Sequence, residues 1–280
     1  MATLFRWSAT LPLWFLHGCG WLLGWFVFVA SATYRRRFLA NSVLAGFRFA
    51  QVWGAIGSAG KMVAELPRLW MGAPVAYEWD NDACVDAAYA RGKGVLVLTP
   101  HLGCFEVTAQ ALAARYGSRY GALTVLYRPA RQAWLAGFME ATRNRPGLLT
   151  APTNLAGVRQ MLRALRVGLS VGLLPDQVPP QGMGLWSQFF EREAYTMTLS
   201  VRLAQQSGAT VLLLWGERLG WGRGYRLHFR ELSAPLADGL AAATRQVNEE
   251  MERLVRECPA QYLWGYARYK RPHVESAPHP

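Results

Sequence analysis

Lysine is nearly missing from this chain. Of its 30 basic residues only Lys61, Lys93 and Lys270 are lysine and the other 27 are arginine, against 18 acidic residues, for a formal net charge of +12. Arginine's planar fork binds phosphate and carboxylate through paired hydrogen bonds, so the bias suits phosphorylated or anionic-lipid partners. A GC-rich genome also favours arginine but leaves the sign of the net charge unexplained. Cysteine is equally sparse: Cys19, Cys84, Cys104 and Cys258 are scattered, without a Cys-x2-Cys pair. That excludes a zinc ribbon or a dithiol redox motif and fits reduced thiols in a cytosol-facing protein. His17, His228, His273 and His279 stand at no metal-ligand spacing from one another or from the carboxylates, so no metal is expected. There is no internal repeat, no long linker and no nucleic-acid recognition motif, and nucleic acid is excluded as a partner.

What the chain has is apolar content, 52% over 280 residues, enough for one large core. Residues 11–30 carry no formally charged side chain. At 1.5 Å per residue such a run spans about 30 Å, the hydrocarbon thickness of a bilayer. Arg35, Arg36 and Arg37 follow it and only Arg6 precedes it, which by the positive-inside bias sets the C-terminal body in the cytoplasm. We therefore expect a single-pass membrane anchor over 1–34, with the body over 35–280 on the cytoplasmic side. A cleaved signal peptide is the competing reading, given Ala30-Ser31-Ala32. Against it stand the length of the apolar run and the three arginines just beyond the cut. Aromatic and apolar residues over 38–72 suit either a membrane-surface stretch or core packing.

Beyond Pro74 strand and helix patterns alternate. Strands are expected over 75–79, 95–99, 120–127, 147–151, 169–174, 210–216 and 224–230, and helices over 82–90, 106–116, 131–143, 153–166, 196–207 and 237–256. That order predicts an α/β fold with a largely parallel sheet flanked by helices, its functional residues gathered at strand ends. Gly182, Gly184 and the pair Phe189-Phe190 suggest a flexible segment beside an apolar wall. Two motifs mislead. Gly168-Leu169-Ser170-Val171-Gly172 has the letters of a nucleophile elbow, but a helix precedes the serine and a strand follows, the reverse of what that motif needs. The stretch from Gly54 to Lys61 approaches a phosphate loop with wrong spacing and with Met62 where a hydroxyl must stand.

The segment Pro100-His101-Leu102-Gly103-Cys104-Phe105-Glu106 carries the chemistry. On a regular helix His101 and Glu106 would point about 140° apart. A bend at Gly103 between a strand ending near Thr99 and a helix opening near Glu106 would bring them together. Glu106 would then hold one imidazole nitrogen while the other faces a substrate hydroxyl, a general base with its orienter. Cys104 beside the base is a lesser candidate for a nucleophile.

This His-x4-Glu pattern is followed in order by Tyr127-Arg128-Pro129, Leu174-Pro175-Asp176-Gln177, Phe189-Phe190, Gln261-Tyr262-Leu263-Trp264 and Arg268-Tyr269-Lys270. The ordered set resembles the late acyltransferases of lipid A synthesis, of the lauroyl and myristoyl type. It departs from them at Cys104, where asparagine is common, and at Phe105, where tryptophan is frequent. The resemblance implies transfer of an acyl chain from acyl carrier protein to a 3-hydroxyacyl hydroxyl of a phosphorylated, Kdo-bearing lipid A precursor, without a cofactor. His101 and Glu106 would be catalytic and Arg128, Asp176 and Gln177 substrate-binding, with Asp176 positioning Arg128 or the substrate. Arg128 or a backbone N–H of the 101–106 turn would receive the oxyanion. The runner-up is the same chemistry on another membrane acceptor, such as a lysophospholipid, ornithine lipid or glycolipid. A non-catalytic basic membrane-binding protein is the third reading.

Overall fold

The computed structural model describes residues 2–127 and 146–273. Six helices precede the first strand: α1 (Ala2–Ser8), α2 (Leu13–Ala30), α3 (Ala32–Leu44), α4 (Phe49–Val52), α5 (Gly54–Ala64) and α6 (Leu66–Met71). The body follows as β1 (Tyr77–Asp80), α7 (Asp82–Ala90), β2 (Val95–Leu98), α8 (Phe105–Tyr120), β3 (Leu123–Tyr127), β4 (Leu148–Pro152), α9 (Leu155–Arg166), β5 (Ser170–Leu173), β6 (Gly184–Phe189), β7 (Arg192–Met197), α10 (Leu199–Ser207), β8 (Thr210–Arg218), β9 (Tyr225–Glu231) and α11 (Leu240–Glu257).

Seven strands form one sheet in the order β1-β9-β8-β2-β5-β3-β4. Neighbours pair in parallel except β8 with β9, which are joined as a hairpin. The expected α/β fold with a mostly parallel sheet is thus observed. Val95 through Leu98 are all buried because the sheet is covered on both faces. Leu96 and Leu98 join the core built with α9, α10 and α11, while Val95 and Val97 join the one built with α7 and α8.

Two expectations change. The helix after His101 runs on to Tyr120, so β3 begins only at Leu123. The segment read as flexible around Gly182 and Gly184 is instead an antiparallel hairpin, β6 with β7, apart from the main sheet. Its inward side, including Phe189 and Ala194, is buried. The helix expected over 131–143 lies outside the described residues. Ser170 opens β5 two residues after Gly168, which has a left-handed φ of 86°, as the dismissal of a nucleophile elbow required.

Helix α2 is long and apolar enough to cross a bilayer, yet one of its faces belongs to the protein. Leu13, Leu16, His17, Gly20, Gly24 and Phe28 recur at helical spacing and are buried. Gly20 and Gly24 meet Gly57 and Gly60 of α5 so closely that a Cβ on Gly24 or Gly60 would strike the opposing backbone. The glycines of the rejected phosphate loop therefore serve a helix crossing. The opposite face of α2 exposes Trp14, Phe15, Leu22, Phe26 and Val29. A removable leader would leave α5 with an uncovered groove, which argues against the signal-peptide reading.

His17 is tolerated in this apolar helix because its Nε2 lies 3.1 Å from Glu65 Oε2. Glu65 also accepts from Arg218 Nη2 at 2.6 Å and from the Tyr225 hydroxyl at 2.9 Å, and Arg218 donates to Ser58 at 3.0 Å. The cluster ties α2, α5 and the α5–α6 junction to the ends of β8 and β9. Burial would raise the Glu65 pKa, but the Arg218 guanidinium and the hydrogen bonds outweigh it and hold it down to about 2. Its contribution to stability is thus complete above the ordinary carboxylate range and is lost progressively as pH falls from there through about 2. Arg218→Met leaves Glu65 buried without its guanidinium partner and should cost about 3–5 kcal/mol in denaturant unfolding. Glu65→Leu combined with Arg218→Met should recover much of that loss, and no recovery would contradict the assignment.

Candidate active site

The turn after β2 carries His101, and backbone contacts hold it from several sides. Gly103 has φ 57°, and a side chain there would collide with the Gly216 carbonyl of β8. The N–H of Gly103 donates to the Gln261 carbonyl at 3.1 Å, that of Cys104 to Gly216 at 2.7 Å, and that of Leu263 to the His101 carbonyl at 3.1 Å. The Gln261 side chain clips both backbone groups of Arg218. The segment Gln261-Tyr262-Leu263, quoted above only as part of an ordered motif set, is thus a brace for the histidine turn.

Both imidazole nitrogens of His101 are engaged by the segment that follows β5, the sheet neighbour of β2. Nδ1 lies 2.7 Å from Asp176 Oδ1, the His101 N–H donates to Asp176 Oδ2 at 2.9 Å, and Gln177 Nε2 lies 2.9 Å from Nε2. In place of the expected Glu106–His101 hydrogen bond, His101 is bonded to Asp176. Glu106 sits in the first turn of α8 and accepts from the Trp70 indole at 3.1 Å. The bend at Gly103 does form, but it turns the ring toward β5 rather than along α8. Arg128 lies outside the described residues. The N–H groups of residues 101 to 104 are all used, by Asp176, Pro100, Gln261 and Gly216, which removes most of the expected backbone oxyanion donors.

Asp176 is 2% exposed. Burial favours its neutral form, yet the His101 charge, two hydrogen bonds from His101 and the Arg268 guanidinium together hold its pKa below the ordinary value. An ionised Asp176 accepts a hydrogen bond from Nδ1–H and so leaves the lone pair on Nε2, the base tautomer. Gln177, as oriented here, donates to that lone pair and must yield to a substrate hydroxyl. Cys104 is fully buried and burial pushes its thiol pKa well up, which makes it inert as a nucleophile.

His101, Phe105, Glu106 and Gln177 open onto a cavity of about 410 Å³ that runs beneath the strand ends, walled by Leu112, Leu123, Val125, Leu148, Leu173 and Leu214. Gly172 lies on its floor, where a side chain would point at Val125 and Leu123. An apolar cleft with a few convergent polar groups at one end is the form of a site for a long aliphatic group.

A family model described as bacterial lipid A biosynthesis acyltransferase matches residues 25–271. The chain is 27% identical over 187 residues to the lipid A biosynthesis lauroyltransferase of Escherichia coli K12, covering 65% of this chain and 58% of that protein. It is 28% identical over 194 residues to the palmitoleoyltransferase of the same organism, covering 68% and 60%. With the lipid A biosynthesis acyltransferase of Haemophilus influenzae it shares 24% over 181 residues, 64% and 55% of the two chains. The match thus spans somewhat over half the length of these relatives.

Asp176→Asn keeps the shape of the contact but lets an amide N–H face Nδ1, favouring the wrong tautomer. Turnover should fall on the order of 10²–10⁴-fold with the thermal midpoint little changed. A rate within a fewfold of wild type would show that another group orients His101.

Proposed function

Because this chain belongs to the bacterial lipid A biosynthesis acyltransferase family, we propose that it moves a fatty acyl chain from the thioester of acyl carrier protein to a hydroxyl of a phosphorylated, Kdo-bearing lipid A precursor, with His101 as the general base. The observation that carries this reading is an imidazole fixed at Nδ1 by a buried carboxylate while Nε2 faces the polar end of an apolar cavity.

The acceptor hydroxyl takes the place of the Gln177 amide at Nε2. As the hydroxyl oxygen attacks the thioester carbonyl, Nε2 takes its proton and the resulting imidazolium is balanced by Asp176. The tetrahedral intermediate carries an oxyanion, for which the first turn of α8 and Arg128 are the proposed donors. Collapse breaks the C–S bond, the thiolate takes the proton from Nε2, and an ester and a free thiol leave. Glu106, held by Trp70 on the same wall, is assigned to the incoming acceptor. The thioester supplies the activation, so the scheme calls on no cofactor. The exposed apolar face of α2, with Trp53, Val63 and Trp221 nearby in the fold, is assigned to the cytoplasmic membrane, with the body on the cytoplasmic side.

Purified protein, acyl carrier protein thioesters of several chain lengths and the Kdo-lipid A precursor, with products read by mass spectrometry, test the reading. Wild type should add one acyl chain to the precursor. His101→Ala should lose about 10²–10⁴ in rate while still folding. Transfer only to a lysophospholipid or another glycolipid would replace the acceptor, and full activity in His101→Ala would remove the mechanism. Gly172→Leu fills the cavity floor and should shift preference toward shorter chains, since each excluded CH2 forfeits about 0.8 kcal/mol. An unchanged chain-length profile would show that the acyl group lies elsewhere.

A further inference from the structure

Helix α9 leaves the C-terminal end of β4 at the cavity, where Asn154, Leu155 and Val158 are lining residues, and returns to the start of β5. Its outer face carries Arg159, Arg163 and Arg166 at helical spacing, all exposed. Among the described residues none of these side chains has an ion pair or hydrogen bond, unlike Arg91, Arg115, Arg226 and Arg230, which pair with carboxylates. Neighbouring α10 adds exposed Arg202, and neither helix contains an acidic residue. At the far end the exposed Lys93 lies in the loop whose Gly92 and Gly94 abut residues 165–168. Leu155, 74% exposed, stands at the mouth where this row of charge begins.

The direction of the row decides what meets it. The α2–α5 pair is clamped at Arg218, the C-terminal end of β8, which runs the same way as β5. Helix α9 runs back against the strands for 12 residues, about 18 Å. Arg163, Arg166 and Lys93 are therefore progressively farther from the apolar face assigned to the bilayer. Lipid headgroups do not reach along such a row, whereas a soluble anionic partner seated at the cavity mouth does. We propose that the α9–α10 face docks the acidic carrier protein that holds the acyl thioester, with Arg159, Arg163 and Arg166 as its anchoring cations. This rests on the acyl-transfer reading above and adds where the donor binds. A like-signed surface with uncompensated charge steers an oppositely charged partner and loses its effect with salt.

The test compares two donors for one acyl group: the carrier protein thioester and the N-acetylcysteamine thioester, which has no protein surface. In Arg159→Glu/Arg163→Glu/Arg166→Glu the KM for the carrier-bound donor should rise about tenfold or more with kcat nearly unchanged, and the small donor should be used as by wild type. The corresponding triple lysine variant should keep a near wild-type KM. For wild type the carrier KM should rise with NaCl, and for the glutamate variant this dependence should flatten. A carrier KM unaffected by charge reversal, or an equal loss with both donors, would overturn the docking surface. Reduced binding to phosphatidylglycerol-containing vesicles with an unaltered carrier KM would reassign the face to lipid. If wild type used neither donor, the acyl-transfer reading itself would fall. Transfer with a charge-independent KM would sink the docking site alone.

Discussion

A carboxylate buried beneath an imidazole organises this molecule. Asp176 is all but sealed from water and remains ionised because His101 supplies two hydrogen bonds and Arg268 a nearby positive charge. Arg268 is itself buried and held by the Tyr195 carbonyl and the Thr196 hydroxyl, on the hairpin strand β7. The tautomer of one histidine thus depends on β2, β5, the β6–β7 hairpin and the C-terminal segment together. An isolated buried carboxylate would protonate rather than orient a base. The surrounding elements are what keep this one charged.

A second buried charge cluster does comparable work on the other side of the histidine turn. Glu65 and Arg218 join the apolar helix pair to β8, and the next contacts outward from Arg218 are Gln261 and then Gly103. The helix assigned to the membrane and the turn assigned to catalysis are consequently parts of one packed unit. The proposed base is thereby held at a fixed relation to the exposed apolar face of α2.

Much of this was legible beforehand. The alternation of apolar strands with amphipathic helices predicts the parallel sheet, because each element must bury one face and short connections leave few ways of doing so. The bend at Gly103 followed from the spacing of His101 and Glu106, and it is present. The orienter was not legible in the same way. Glu106 is five positions from His101, whereas Asp176 is 75 residues away and was singled out only through resemblance. The extension of α8 to Tyr120 and the β6–β7 hairpin were missed because packing against neighbouring elements overrode local pattern.

Local composition by itself determined that residues 11–30 form an apolar run, helical from Leu13, that the chain is basic through arginine, and that a strand, a glycine turn and a helix flank His101. Those properties depend on neighbours in sequence and on side-chain chemistry. Tertiary structure alone decided that Asp176 rather than Glu106 holds the imidazole, that Glu65 neutralises Arg218 beneath His17, and that the arginines of α9 begin at the cavity mouth. Each of these joins residues from different strands or helices, and which strand ends lie side by side is set by sheet order, a property of the packed whole.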